Sequence, residues 1–511
     1  MVPAATMQID SIPLNQNQKV NRKALPAPVM QQSDRDYVAP ANEQERLFAK
    51  IFADILMIDK VGATDNFFDL GGTSLMVTRV IIEADKAGLH VAYGDIFANP
   101  TPRQLALFVA GGTESEKEND AADFDYTAIN SLLQQNTMEA FMTGERQALG
   151  NVLLTGSTGY LGIHVLRELI DSDAERIYCM VRGETVEKAE SRLRTLLYYY
   201  FSDSFKTLFG KRLFVVTGDV TSKLDTNLKV DTVFNCAANV KHFSKGTDIE
   251  DVNIGGAQHC VDFCLKTGAR LVHVSTTSVG GLSIDNVPAA DVLLTEQNLF
   301  FGQYLGNQYM YSKFIADRLI LDAAAKQGLS AKVMLVGNLS ARSTDGEFQV
   351  NFQSNSYMGR IKVYNMLGCC PYELYDTSAE FSPINETAKA IVLLATTPKP
   401  CVLFHPYNNH VQLLGDILTQ LGKITGGVRF VETSEFLAAM EDAKNDPQKA
   451  KTLSSLLAYQ NLGNGHKTAI VERTNTYTSA VLHRLGFYWS PTSWDYDQRM
   501  LTAIAGMGFF E

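Results

Sequence analysis

The strongest constraint in this chain of 511 residues lies near Asn151, where the apolar run NVLLT meets Gly156-Ser157-Thr158-Gly159-Tyr160-Leu161-Gly162 and continues into HVLRELI. A short strand, a glycine turn and an amphipathic helix make the context in which backbone N–H groups approach a pyrophosphate, because glycines remove the Cβ atoms that would hold the phosphates off. The glycine spacing alone is a weak signal, and its place between a strand and a helix carries the weight. Further apolar runs follow: IYCMV, LFVVT, TVFNC, LVHVS and VMLV each precede an amphipathic or turn-bearing stretch. Strands alternating with helices predict a doubly wound α/β fold, a parallel sheet covered on both faces with its ligand at the carboxyl ends of the strands.

Those strand ends supply candidate binding residues. IYCMV runs to Arg182, about where an acidic residue would select the free ribose of NAD; a guanidinium there suits the extra phosphate of NADP instead. Arg192, one helical stretch further on, could reach the same phosphate. Glu184 close by favours the other cofactor, and a solvated surface charge is the plain alternative for either arginine. Asp219, after LFVVT, could accept a hydrogen bond from the adenine amine or only close a turn, and Ala237 follows TVFNC at the same edge.

The run LVHVS leads into Ser275-Thr276-Thr277-Ser278, and Tyr309-Met310-Tyr311-Ser312-Lys313 comes later. Residues four apart share a helix face, so Tyr309 and Lys313 would point the same way, toward the nicotinamide, while a tyrosine and a lysine at this spacing are also common as plain helix-surface residues. A cation beside a phenol lowers its pKa from about 10 and makes it a better proton donor. Thr276 would supply a second hydrogen bond to the same substrate oxygen. Tyr311 competes with Tyr309 but lacks the spacing to Lys313.

Ahead of this region, residues 41–110 show helical periodicity (Leu47, Ile51, Ile55; Leu75, Val77, Val80, Ile81; Leu105, Leu107, Phe108), which predicts a small helical bundle. Inside it, Asp69-Leu70-Gly71-Gly72-Thr73-Ser74-Leu75 follows Phe67-Phe68. The glycines permit a tight turn, and a phosphate attached to Ser74 would face the unpaired N–H groups of a helix start. Ser74 could equally be a helix cap. The stretch GGTESEKENDAAD after the bundle is polar enough for an exposed linker. Beyond about Ala341 the pattern is less regular and reads as a substrate-side lobe.

A formal net charge of -11 without a basic cluster argues against nucleic acid. The seven cysteines are scattered through apolar runs and read as reduced core residues; Cys260 and Cys264 beside His259 lack a second ligand pair, so no metal is expected. The amino terminus does not resemble a signal peptide, and no apolar run reaches the ~20 residues of a membrane span, so no membrane association and a cytoplasmic location are expected.

FFDLGGTSL is similar to the attachment motif of peptidyl carrier proteins in nonribosomal peptide synthetases, which implies 4′-phosphopantetheine on Ser74. PLNQNQKVNRKALP resembles the last motif of an adenylation domain, with Lys19 at that family's catalytic lysine; the rest of that domain is absent, and Met1 is expected to begin an excised or truncated piece of a longer synthetase. Residues 126–511 resemble the thioester reductase domains of the same synthetases, which belong to the extended short-chain dehydrogenases/reductases and also occur in carboxylic acid and aminoadipate reductases. The expected domains are therefore an adenylation remnant (1–30), a four-helix carrier (37–112), a linker (113–125) and a reductase (126–511), the last split into a Rossmann-type NADP-binding core (about 150–340) and a smaller, mainly substrate-binding lobe (about 341–511).

The resemblance implies Thr276, Tyr309 and Lys313 as catalytic residues, Gly337 and Asn338 beside the nicotinamide, and a structural Asn253. It further implies NADPH-dependent release of a carrier-bound peptidyl or aminoacyl thioester as an aldehyde, with a second reduction to the alcohol open. Upstream condensation and adenylation domains and a phosphopantetheinyl transferase are the implied partners. The rival readings are a sugar-nucleotide epimerase or dehydratase on the same fold, a redox-silent cyclising or docking domain, and a fragment of a carboxylic acid or aminoadipate reductase. A thioesterase is disfavoured because the chain has no GxSxG elbow.

Overall fold

A computed structural model describes residues 37–510 apart from 92, 111–119, 245, 353–354, 445, 447–448, 450–451 and 454–467. The expected adenylation remnant, with Lys19, and residues 113–119 of the expected linker lie outside the described residues. The chain divides at residues 113/114 into two units.

The first unit holds α1 (Glu43–Leu56), α2 (Ser74–Lys86), α3 (Tyr93–Ala98) and α4 (Pro102–Val109). Asn42 caps α1 by accepting from the Glu45 N–H at 2.8 Å, while the Glu45 carboxylate accepts from the Ala41 N–H at 2.7 Å. This reciprocal pairing satisfies N–H groups that a helix start leaves open. Phe48, Phe52 and Ile55 of α1, Val77 and Val80 of α2, Leu105 of α4 and the intervening Phe67 are buried. The Phe52 and Phe67 ring centroids stand 4.7 Å apart. Leu107, counted in the apolar stripe, is exposed instead, since an eight-residue helix presents only a narrow inner face.

In the second unit β1 (Asn151–Thr155), β2 (Arg176–Val181), β3 (Leu213–Thr217), β4 (Thr232–Asn235), β5 (Arg270–Thr276), β6 (Ala331–Val336) and β7 (Leu403–Phe404) form one sheet in the order β7-β6-β5-β4-β1-β2-β3. Every neighbouring pair is parallel. Strand order reverses between β1 and β4, and at such a switch point the carboxyl ends of the strands open a crevice. Its helices include α5 (Tyr160–Asp171), α6 (Val186–Phe201), α7 (Gly256–Thr267), α8 (Gln308–Gln327), α9 (Ser356–Leu367), α10 (Ile384–Ala395), α11 (Leu414–Thr425) and α12 (Trp494–Gly506). Successive strand residues feed opposite faces: Leu154, Phe234 and Met334 join one apolar core with Leu166 and Leu193, whereas Leu153, Val233 and Val333 join another with Phe263 and Phe314. Each such side chain contributes about 1.5–3 kcal/mol on burial, which is why these strands read as continuous apolar runs.

Two expected boundaries shift. The division at about 341 is crossed by the chain, because α10 packs on α5, its Ala388, Ile391 and Leu394 lie in the first core, and β7 is the seventh strand of the sheet. A two-residue strand is too short to announce itself in a sequence pattern. What stands apart is a third core with Phe348, Ile361, Tyr364, Phe381, Leu418 and Met500. The linker expected over 113–125 also ends early: Ala121 is buried in the second core and Phe124 packs against it. Two apolar side chains suffice to anchor an otherwise polar stretch.

Candidate active site

The turn after β1 closes only around glycine. A Cβ on Gly162 would lie 2.0 Å from the Gly156 carbonyl oxygen, and one on Gly156, whose φ is 68°, would lie 2.6 Å from the Ala237 nitrogen. Gly159 occupies the cap position of α5 without a side-chain bond, so the first turn keeps N–H groups for an anion. Thr158, Gly159 and Tyr160 line a cleft of about 490 Å³ together with Arg192, Thr195 and Val350. The Tyr160 hydroxyl is turned away into the wall, donating to the carbonyls of Ser340 (3.0 Å) and Glu347 (3.3 Å), and Leu161 packs against the first core. Any contact of these two residues with a nucleotide would therefore come through backbone or ring.

Arg182 projects from the end of β2, its side chain 74% exposed and its guanidinium 3.9 Å from the Asp219 carboxylate. Asp219 also closes its own turn, accepting from the Thr221 N–H and hydroxyl at 3.0 Å each. Glu184, the residue favouring the other cofactor, is paired with Lys188. A turn with glycine at its crowded positions and a helix start without a side-chain cap suit a dinucleotide, and Arg182 and Arg192 follow on the next strand and helix.

On the opposite side of the switch point Thr276 ends β5, its hydroxyl accepting from the Ser278 N–H (3.2 Å) and donating to the Ser278 hydroxyl (3.1 Å). Asn307 caps α8 through the Met310 N–H at 2.9 Å, and this start sets a register in which Tyr309, Lys313 and Asp317 form one stripe. Tyr309 is half-buried, with its ring centroid 5.8 Å from that of His242. Burial pushes the His242 pKa down to about 4, so a neutral imidazole faces the phenol. Tyr311 donates instead to Asp120 at 3.1 Å; burial and that carboxylate push its pKa up to about 12.

Lys313 is fully buried, and its ammonium group turns toward the strand: Nζ donates to the Val274 carbonyl at 2.7 Å and lies 3.1 Å from His273 Nε2. Asp317, 0% exposed, accepts from the Ser275 hydroxyl at 2.6 Å. His273 Nδ1 lies 3.1 Å from Asn235 Nδ2, and Asn235 Oδ1 accepts from the Thr155 hydroxyl at 2.7 Å. Burial lowers the Lys313 pKa while the Asp317 charge raises it; burial raises Asp317 while Lys313 lowers it. None of Asn235, His273 or Asp317 was singled out from the sequence. The available signals were a histidine inside the otherwise apolar LVHVS and an acid four residues beyond Lys313.

Asn253 sits in a π-helical turn, Asp251–Gly255. It accepts from the Asn239 N–H (2.8 Å) and donates to the Asn239 carbonyl (3.0 Å) and the Ser312 hydroxyl (2.9 Å), tying the loop after β4 to α8. After β6, the Asn338 N–H donates to Glu380 at 2.7 Å, and a Cβ on Gly337 would fall 2.3 Å from that carboxylate. Glu380, paired with Arg473 at 3.3 Å, is a further residue that sequence reading missed. In the first unit, a Cβ on Gly72 would strike the Phe67 ring at 2.4 Å. The cap position there falls on Thr73, and Ser74 is the first residue of α2. Among the described residues no His, Cys, Asp or Glu cluster suits a metal ion, and no helix is long and apolar enough to cross a membrane. His259 is bonded to the Val220 carbonyl at 2.8 Å.

Comparisons with known proteins agree with this division. Residues 154–391 match the NAD-binding family described as male sterility protein, and residues 46–109 match the phosphopantetheine attachment site family. A solved thiolation-reductase di-domain from an archaeal nonribosomal peptide synthetase is 35% identical, covers 93% of this chain and 100% of its own, and superposes with a TM-score of 0.83. A linear gramicidin synthase protein of Brevibacillus parabrevis is 26% identical over 481 residues, 89% of this chain, and the isonitrile lipopeptide synthase of Mycobacterium tuberculosis is 29% identical over 447 residues, 77% of this chain. This chain spans 9% and 17% of those two proteins. The chain belongs to the thiolation-reductase didomains of nonribosomal peptide synthetases. Its first unit is a carrier domain of the phosphopantetheine-attachment family, and its second is an NAD(P)-binding reductase of the short-chain dehydrogenase/reductase type.

Proposed function

We propose that this chain releases an acyl or peptidyl group from its own carrier by NADPH-dependent reduction of a thioester to an aldehyde. The observation that carries the reading is the placing of Thr276 and the Tyr309–Lys313 helix stripe at the same sheet edge as the glycine turn and two arginines. Bound NADPH would supply hydride, and a phosphopantetheine arm on Ser74 would present the acyl group. The glycine turn and the first turn of α5 would bind the pyrophosphate, and Arg182 and Arg192 the additional phosphate that separates NADPH from NADH. Tyr309 and Thr276 would hold the substrate carbonyl oxygen and stabilise the charge that develops on it, with Tyr309 delivering the proton. Lys313 would support the phenolate left behind, and breakage of the carbon–sulfur bond would return the pantetheine thiol as the aldehyde leaves.

The carrier presupposes a phosphopantetheinyl transferase to load Ser74 and upstream condensation and adenylation domains to build the acyl chain. Seven free cysteines suit the reducing cytoplasm. The decisive experiment loads a short peptidyl-pantetheine onto the chain, adds NADPH and identifies the product by mass spectrometry. An aldehyde or its alcohol is expected. A cyclised product or free acid without NADPH consumption would overturn the reading in favour of a redox-silent release domain.

A further inference from the structure

We propose that His273 and Asp317 are positioning residues: together they seat Lys313 and decide the pH at which it is charged, through a hydrogen-bond chain that reverses when Lys313 loses its proton. The inference rests on the reading of Tyr309 and Lys313 given above.

An ammonium has three N–H bonds. The Val274 carbonyl takes one and His273 Nε2 stands where it meets a second, so one remains, which would be shared between the Tyr309 oxygen and a ribose hydroxyl of bound NADPH. A neutral imidazole, however, carries one N–H only. If Asn235 Nδ2 donates to His273 Nδ1, the ring hydrogen sits on Nε2 and Lys313 must accept it, as a neutral amine. If Lys313 is an ammonium donating to Nε2, the hydrogen sits on Nδ1, and the Asn235 amide must turn its oxygen toward the ring and its NH₂ toward Thr155. The chain Thr155–Asn235–His273–Lys313 thus has two consistent directions, one for each charge state of the lysine. The two Asn235 orientations occupy the same space, so neither is excluded by packing.

Asp317 selects between them. Its Oδ2 accepts from Ser275, while the buried Oδ1 has no hydrogen-bond partner and lies 3.8 Å from His273 Nε2. An ionised carboxylate so placed is disfavoured unless a cation is near, and the cation is Lys313, one turn back on α8. The ionised Asp317 therefore favours Lys313 as the ammonium, and loss of the lysine proton at alkaline pH leaves the carboxylate without its cation, which moves that loss to higher pH. The other groups facing Lys313 do not compensate: the Val274 carbonyl is uncharged, the Cys236 thiol is held neutral by a pKa that burial pushes up to about 12, and burial with the Lys313 charge keeps His273 well below its ordinary pKa.

The test measures NADPH affinity by fluorescence, with no acyl group present, and NADPH consumption with hexanoyl-pantetheine, each from pH 6 to 10. Asp317→Asn removes the anion that favours the ammonium, so the alkaline loss of both binding and kcat should move to lower pH by about one unit or more, with near-normal kcat at pH 6. Asp317→Glu should restore much of the wild-type profile. His273→Gln offers a carbonyl that accepts from the ammonium without a tautomer to switch, and should move the alkaline loss to higher pH. Opposite shifts cannot come from a shared loss of stability. Profiles of both variants that superimpose on the wild type, with only the melting temperature lowered, would show a purely structural role and overturn the proposal. Should Tyr309→Phe and Lys313→Ala retain full activity, the reading of the site itself fails; should they abolish it while the two profiles stay put, only the positioning role fails.

Discussion

At Ser74 in the carrier and at Tyr160 in the reductase a glycine turn feeds the first turn of a helix, and in neither does the cap residue bond back through its side chain. Their surroundings differ. The crowding that demands Gly72 comes from Phe67, five residues earlier in the same bundle. The crowding at Gly156 comes from Cys236 and Ala237 at the end of another strand. A covalent handle needs one hydroxyl on a locally folded turn, whereas a dinucleotide held without covalent bonds needs several strand ends in register. The carrier site is therefore a property of a short stretch of chain and the reductase site a property of the sheet.

The sharpest separation of the two should come from Ser74→Ala, which is expected to abolish loading with phosphopantetheine, read as a missing mass increase, while reduction of a soluble acyl-pantetheine persists. It should persist at a lower rate, because tethering raises effective concentration. A mass increase in that variant would break the comparison at its first term. Tyr309→Phe is the converse: about a hundredfold or greater loss of reduction, with loading and NADPH affinity nearly unchanged. Gly162→Ala should follow, its Cβ meeting the Gly156 carbonyl at 2.0 Å. An affinity loss for NADPH of about tenfold or more is expected, measured by fluorescence titration, because a displaced backbone takes its N–H groups out of reach. Arg182→Ala should narrow the preference for NADPH over NADH by about 1–2 kcal/mol in kcat/KM, a modest figure because the side chain is 74% exposed. Equal use of both cofactors by the unaltered protein would remove its basis. The smallest effect belongs to Tyr311→Phe, whose hydroxyl is spent on Asp120; turnover should stay within about twofold.

Legibility in the sequence followed the same divide. NVLLT with its glycine turn, the run of β strands, and LGGTSL were readable because each is contiguous in the chain. The stripe of Tyr309 and Lys313 was readable because helical spacing is local. Glu380 was not, because it reaches Asn338 across a loop and gains its role only from the backbone it meets there. His273 and Asn235 sit on neighbouring strands, and nothing in either run shows that their side chains touch. His242 is recognisable as a neighbour of Tyr309 only once the loop after β4 is folded.

The amino-acid sequence by itself determined the order of domains, the parallel sheet, the glycine turn after its first strand and the four-residue spacing of Tyr309 and Lys313, since periodicity and motif spacing act over a few residues and survive without tertiary context. The tertiary structure alone decided that β7 and α10 close the sheet after an excursion into the third core, and that Lys313 faces His273 and Val274. The physical reason is burial. A lysine on a helix can point to water or to a strand, and which it does depends on whether buried polar groups from distant parts of the chain converge to replace the water it loses.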